Sequence, residues 1–228
     1  MALENGPFSS KDFPGFSETV VPYLNIASRV PERKDDGLLG EYGGTGFPTL
    51  MFLDPDGRKI MRSGRSQAEF EKGRDEAQEF LELVAKADAG DVKAQIPVFL
   101  KQLEFGWFTV EEARAKLAGF EKVSKKDLKA IEVLLVETEV RGLAKQAGRD
   151  LDKRREAGAR CAEMWGDKQV PEDMDCMIQF WALIADHAEA KGDKKLMKKV
   201  VKEADKTVKK DTSGRALVKI LEQRLKDM

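Results

Sequence analysis

The sequence predicts an α/β N-terminal part, residues 1–88, followed by an all-α region of helical hairpins, residues 89–228. Three observations carry this expectation. Up to residue 87, short apolar runs punctuated by proline and glycine alternate with helical segments, in the order strand, helix, strand, hairpin strand, helix. From Gly90 onward strand signals stop, and apolar residues recur at helical spacing, as at Ile131, Leu134 and Leu135 or at Phe180, Trp181 and Ile184. Three joints, Gly90-Asp91, Gly166-Asp167 and Gly192-Asp193, pair a glycine suited to a left-handed C′ position with an aspartate suited to cap the next helix.

Each element has its own local signal. Residues 1–19 are rich in Gly, Pro, Ser and Phe, which favours a short helix breaking into turns. Val20-Val21-Pro22-Tyr23-Leu24-Asn25-Ile26 reads as a strand, with Pro22 marking one side of it as an edge. After the polar loop 31–36, Leu38, Leu39 and Tyr42 suggest a short helix that stops at Gly43-Gly44. Pro48 lacks an N–H and fixes φ, so it suits a strand start, and Leu50 to Leu53 is an apolar strand. Asp54-Pro55-Asp56-Gly57 turns the chain into an antiparallel partner at 59–63; it lacks the ligand spacing of a calcium loop. Ser66 then caps a helix carrying Phe70, Ala77, Phe80, Leu81 and Val84. Helices are expected near 92–104, 110–119, 125–146, 150–165, 173–190, 194–209 and 214–226. The hairpin from Met174 to Val208 has roughly the size of one tetratricopeptide-like unit, although no strict repeat period is present.

Composition excludes several function classes. The net charge of −1, with 36% charged residues, gives no global electrostatic case for nucleic acid or for a membrane surface. No apolar run approaches the roughly 20 residues of a membrane helix. The first residues lack a basic-then-apolar signal pattern. Cys161 and Cys176 fit no Cys-x-x-Cys or zinc spacing and read as small buried hydrophobes, with a secondary disulfide across a helical hairpin as the rival reading. His187 is the only histidine, so neither a histidine metal cluster nor a second-histidine triad can be assembled, and no cofactor is expected. Phe105-Gly106-Trp107-Phe108 reads as core filling at a helix turn. Lys194, Lys198, Lys202 and Lys206 form one line on a helix, read as a solvated face with an acidic partner or RNA as the sharper alternative.

Leu38-Leu39-Gly40-Glu41-Tyr42-Gly43-Gly44-Thr45-Gly46-Phe47-Pro48-Thr49 resembles the helix end, small-residue turn and hydrophobic-Pro-Thr segment of the thioredoxin-like superfamily. Leu50 to Arg58 resembles that family's hairpin, and Gly64 the glycine before its last helix. The resemblance covers about residues 1–87. It implies an incomplete thioredoxin-like sheet, a cis Phe47–Pro48 bond, and substrate binding at Phe47 and Pro48, where the backbone pairs with an extended protein strand or a partner's cysteine segment. In that family a Cys-x-x-Cys at a helix N-terminus supplies a low-pKa thiolate. This chain has no cysteine before Cys161, so no catalytic residue is assigned. Met1-Ala2-Leu3-Glu4 resembles the family's helix just beyond its second cysteine, which implies that the central strand and the redox pair lie upstream of Met1, for example behind an in-frame UGA read as selenocysteine. Extended members are often exported, and any such signal would also lie upstream. The implied function is that of a thioredoxin-family chain whose parent exchanges disulfides in protein substrates. The alternative is a non-catalytic interaction scaffold built on the same platform and the helical half.

Overall fold

The computed structural model describes residues 6–25, 37–44 and 46–228. Of these, 67% are helical, and the strands among them form one two-stranded antiparallel sheet. The expected α/β thioredoxin-like domain is therefore corrected to a mostly helical fold with a single hairpin. The strand expected at Val20–Ile26 is absent over residues 21–25, and Ile26 lies outside the described residues. The physical reason is visible in exposure: Val21, Tyr23 and Leu24 stand 95%, 69% and 77% exposed. A β-branched or aromatic run favours strand only where a pleated, half-buried surface and a hydrogen-bonding neighbour receive it.

The chain divides into two compact units, residues 1–107 and 108–228. In the first, a 3-10 turn at Pro7–Ser9 and helix α1 (Phe13–Ser17) bring Phe8, Phe13 and Phe16 against Phe70, with ring centroids 4.9–6.5 Å apart. The short helix α2 (Leu38–Glu41) precedes strand β1 (Met51–Leu53), which pairs with β2 (Lys59–Arg62). The register steps from Phe52↔Met61 to Leu53↔Lys59, so Ile60 is an extra residue on β2 and is driven inward, 1% exposed.

Helix α3 (Gln67–Asp88) starts at a capping box in which the Ser66 hydroxyl accepts from the Glu69 N–H and the Glu69 carboxylate accepts from the Ser66 N–H. Its Gly73 faces the hairpin so closely that a Cβ there would lie 2.5 Å from the Phe52 ring. Helix α4 (Val92–Glu104) comes after the Gly90-Asp91 joint, where Gly90 has φ of 93° and the Asp91 carboxylate accepts from the Lys93 N–H. Ile60, Ala77, Phe80 and Val98 form one buried cluster of this unit, packed by Phe105 and Trp107, whose indole N–H donates to the Lys59 carbonyl at 2.6 Å.

The second unit is helical throughout: α5 (Val110–Ala118), α6 (Lys125–Ala147), α7 (Leu151–Gly166), α8 (Met174–Ala190), α9 (Lys194–Thr207) and α10 (Thr212–Asp227). Its core gathers Val140, Cys161, Met164, Phe180, Trp181, Ile184, Met197, Val200 and Leu221, all fully buried. The aspartates Asp150, Asp173, Asp193 and Asp211 cap α7, α8, α9 and α10. The joint expected at Gly166-Asp167 differs. Helix α7 runs through Gly166, Lys168 takes the left-handed conformation at φ 63°, and Asp173 rather than Asp167 caps α8. At Gly158 a Cβ would sit 2.0 Å from the Leu183 carbonyl oxygen, so α7 and α8 meet backbone to backbone there. Across the same unit Asp186 accepts from Arg154 at 2.7 Å and from Arg224 at 2.8 Å, joining α7, α8 and α10.

Candidate functional site

The candidate site is the segment that leads into β1. The Phe47–Pro48 peptide bond is cis. The Thr49 hydroxyl donates to the Gly46 carbonyl at 2.6 Å, closing a tight local turn, and the Pro48 carbonyl accepts from the Arg65 guanidinium at 3.2 Å. Arg62, at the end of β2, donates to the Gly43 carbonyl, and the Tyr42 hydroxyl donates to the Gly57 carbonyl at 2.7 Å. The turn after β1 is held by Asp54, only 6% exposed, whose carboxylate accepts from the Asp56 and Arg58 N–H groups and from Arg58 Nε.

Phe47 itself is 67% exposed and has no hydrogen-bond partner among the described residues. Directly after it, β1 is paired on one side. The Leu50 carbonyl accepts from the Ser63 N–H at 2.9 Å, and the Asp54 N–H donates to the Arg58 carbonyl at 2.9 Å. Alternation in an antiparallel ladder then turns the main-chain groups of Phe52 toward β2 and points those of Met51 and Leu53 to the other edge. Among the described residues no strand lies along that edge. The opposite arrangement holds on β2, where Trp107 caps the Lys59 carbonyl. Among the described residues the hairpin thus has one edge without a partner strand, entered through Phe47 and Pro48.

The remaining candidates resolve into packing roles. Cys161 and Cys176 are free and buried, and burial pushes both thiols up to about 12. His187 lies on α8, where its Cβ helps to close the gap beside Gly158. Trp107 and Phe105 stack edge-on or tilted against Phe80 and one another in the first unit's core. Among the described residues no group of His, Cys, Asp and Glu is arranged to hold a metal ion, and no helix is long and apolar enough to cross a membrane.

Sequence reasoning missed Arg62 and Arg65. Both read as ordinary polar residues at a strand end and a helix approach, and only the tertiary fold brings their guanidiniums to the Gly43 and Pro48 carbonyls. It also missed Glu137, 5% exposed, which accepts from the Asp173 N–H at 2.9 Å and from Arg141 at 3.1 Å. No protein-family model, curated protein or solved structure matches the chain.

Proposed function

We propose that this chain is a non-catalytic protein-interaction module that receives an extended peptide strand along the open edge of β1, beside Phe47 and Pro48. The outward main-chain groups of Met51 and Leu53 carry the reading: they offer donors and acceptors in ladder spacing with no partner strand among the described residues. Strand addition gains main-chain hydrogen bonds from such an edge and specificity from alternate side chains. Exposed Phe47 supplies an apolar contact at its entrance. The likeness of this segment to thioredoxin-like proteins supports the same location for an extended partner. A thiol-disulfide exchange step needs a thiolate at neutral pH. Burial pushes the chain's two thiols up to about 12, so neither serves as that nucleophile.

The test uses a capped Val/Thr-alternating peptide of about eight residues, the usual strand length or slightly above it. Amide exchange and fluorescence anisotropy are read with the full chain. Binding is expected to slow exchange at Met51 and Leu53, and Met51→Pro, which removes an outward N–H, is expected to weaken it about tenfold or more. Unchanged exchange at these two amides under saturating peptide overturns the proposal, as does insulin-disulfide reduction by the chain alone.

A further inference from the structure

We propose that the outward face of α9 is a docking surface for an acidic protein segment. The segment from Lys191 to Lys210 holds nine lysines against three acidic residues, Asp193, Glu203 and Asp205, a formal +6 inside a chain whose total is −1. Two of the lysines are used locally: Lys206 pairs with Glu203 at 2.7 Å and Lys209 with Asp205 at 3.2 Å. Lys194, Lys195, Lys198, Lys199 and Lys202 are exposed and have no carboxylate partner among the described residues.

The helix holds them in a fixed pattern. Met197, Val200 and Ala204 are fully buried on its inner side, where α9 packs on α8 and α10, so the lysine side has one orientation, toward solvent. Its fourteen residues extend about 21 Å, with ammonium groups recurring every three or four residues. Five like charges on under four turns repel one another, and that repulsion is relieved by an anion that spans them.

The occupant is an acidic protein segment rather than a membrane or a nucleic acid on three grounds. The apolar side of α9 is already buried, which leaves no face to enter a lipid interface. Between Lys191 and Lys210 there is no arginine to grip a phosphate in two-pronged fashion and no aromatic side chain to stack on a base. The rest of the chain carries net negative charge, so a polyanion longer than the patch meets repulsion beyond it, whereas a short acidic segment fits within it.

The experiment titrates the full chain with a fluorescein-labelled Glu-Ser alternating peptide of about twelve residues, set against Gln-Ser and Lys-Ser peptides, a short single-stranded oligonucleotide and phosphatidylserine vesicles. The Glu-Ser peptide is expected to bind at low salt and to weaken steeply as salt rises. Replacing Lys194, Lys195, Lys198, Lys199 and Lys202 together by glutamine is expected to weaken it about tenfold or more. The parallel variant Lys122→Gln, Lys125→Gln, Lys126→Gln and Lys129→Gln, around the start of α6, is expected to change it less than about twofold. Circular dichroism confirms that both variants stay helical. Absence of binding, equal loss in both variants, or tighter binding of the oligonucleotide or the vesicles overturns the proposal.

Discussion

Gly158 and Gly142 are both helical glycines, yet their surroundings set opposite outcomes for an added methyl group. At Gly158 the new Cβ would meet the Leu183 carbonyl oxygen at 2.0 Å, backbone that cannot rotate away, whereas at Gly142 nothing lies within 4 Å. Gly158→Ala is expected to destabilise by about 1–3 kcal/mol through forced separation of α7 and α8. Gly142→Ala is expected to stabilise by about 0.5–1 kcal/mol by reducing the freedom of the unfolded chain. Urea unfolding of the two variants reads the difference in sign. The cysteines make a second residue-scale prediction. Thiol-reactive dye at about pH 8 is expected to leave Cys161 and Cys176 unmodified in the folded chain and to label both in denaturant. The stability linkage has a definite sign: an unfolded thiol loses its proton near pH 8.5, while the folded ones keep theirs to about 12. Between these limits the unfolded state binds fewer protons, so this contribution is intact below about pH 8.5 and is lost progressively as pH rises toward 12.

At the scale of elements, the helices after Gly90 were the most legible part of the sequence. Their observed ends fall within two residues of the segments read from apolar spacing and capping aspartates, because helical hydrogen bonds close within the segment itself. The hairpin was legible for a related reason: Asp54 folds its carboxylate onto its own turn through the Asp56 and Arg58 N–H groups. The strand expected at Val20–Ile26 does not form over the described residues 20–25, because strand formation is decided by a neighbour that the run itself does not contain. The Gly166 joint failed because Lys168 took the left-handed position that the sequence offered to a glycine. Around the candidate site, Pro48 was marked by its missing N–H and fixed φ, and Phe47 only by the resemblance of its segment to thioredoxin-like proteins. Arg62 and Arg65 were not marked, since their carbonyl partners lie 19 and 17 residues away. The capping box gives an element-scale expectation: Ser66→Ala removes the hydroxyl that serves the Glu69 N–H and costs about 1 kcal/mol in thermal or urea unfolding.

At the scale of the whole molecule, the two units differ in the size of their cores. The second surrounds Trp181 and Phe180 with a continuous buried cluster drawn from α6 through α10, while the corresponding cluster in the first, Ile60, Ala77, Phe80 and Val98, is smaller, and Phe16, Phe70, Phe99 and Leu103 are buried apart from it. Residues 108–228 expressed alone are therefore expected to fold and to unfold cooperatively, with a helical circular dichroism spectrum and a single urea transition. A gradual, non-cooperative melt of that fragment overturns this expectation.

The three tryptophans fall unevenly across this division. Trp107 is the first unit's single indole, with the Arg58 guanidinium 4.3 Å above its ring, whereas Trp165 and Trp181 lie edge to face at 5.1 Å in the second. Indole fluorescence from the chain is thus a mixture whose components are separable by conservative changes. A Trp107→Phe chain emits only from the second unit, and a Trp165→Phe, Trp181→Phe chain only from the first. The distribution of indoles makes each half optically addressable without any attached dye.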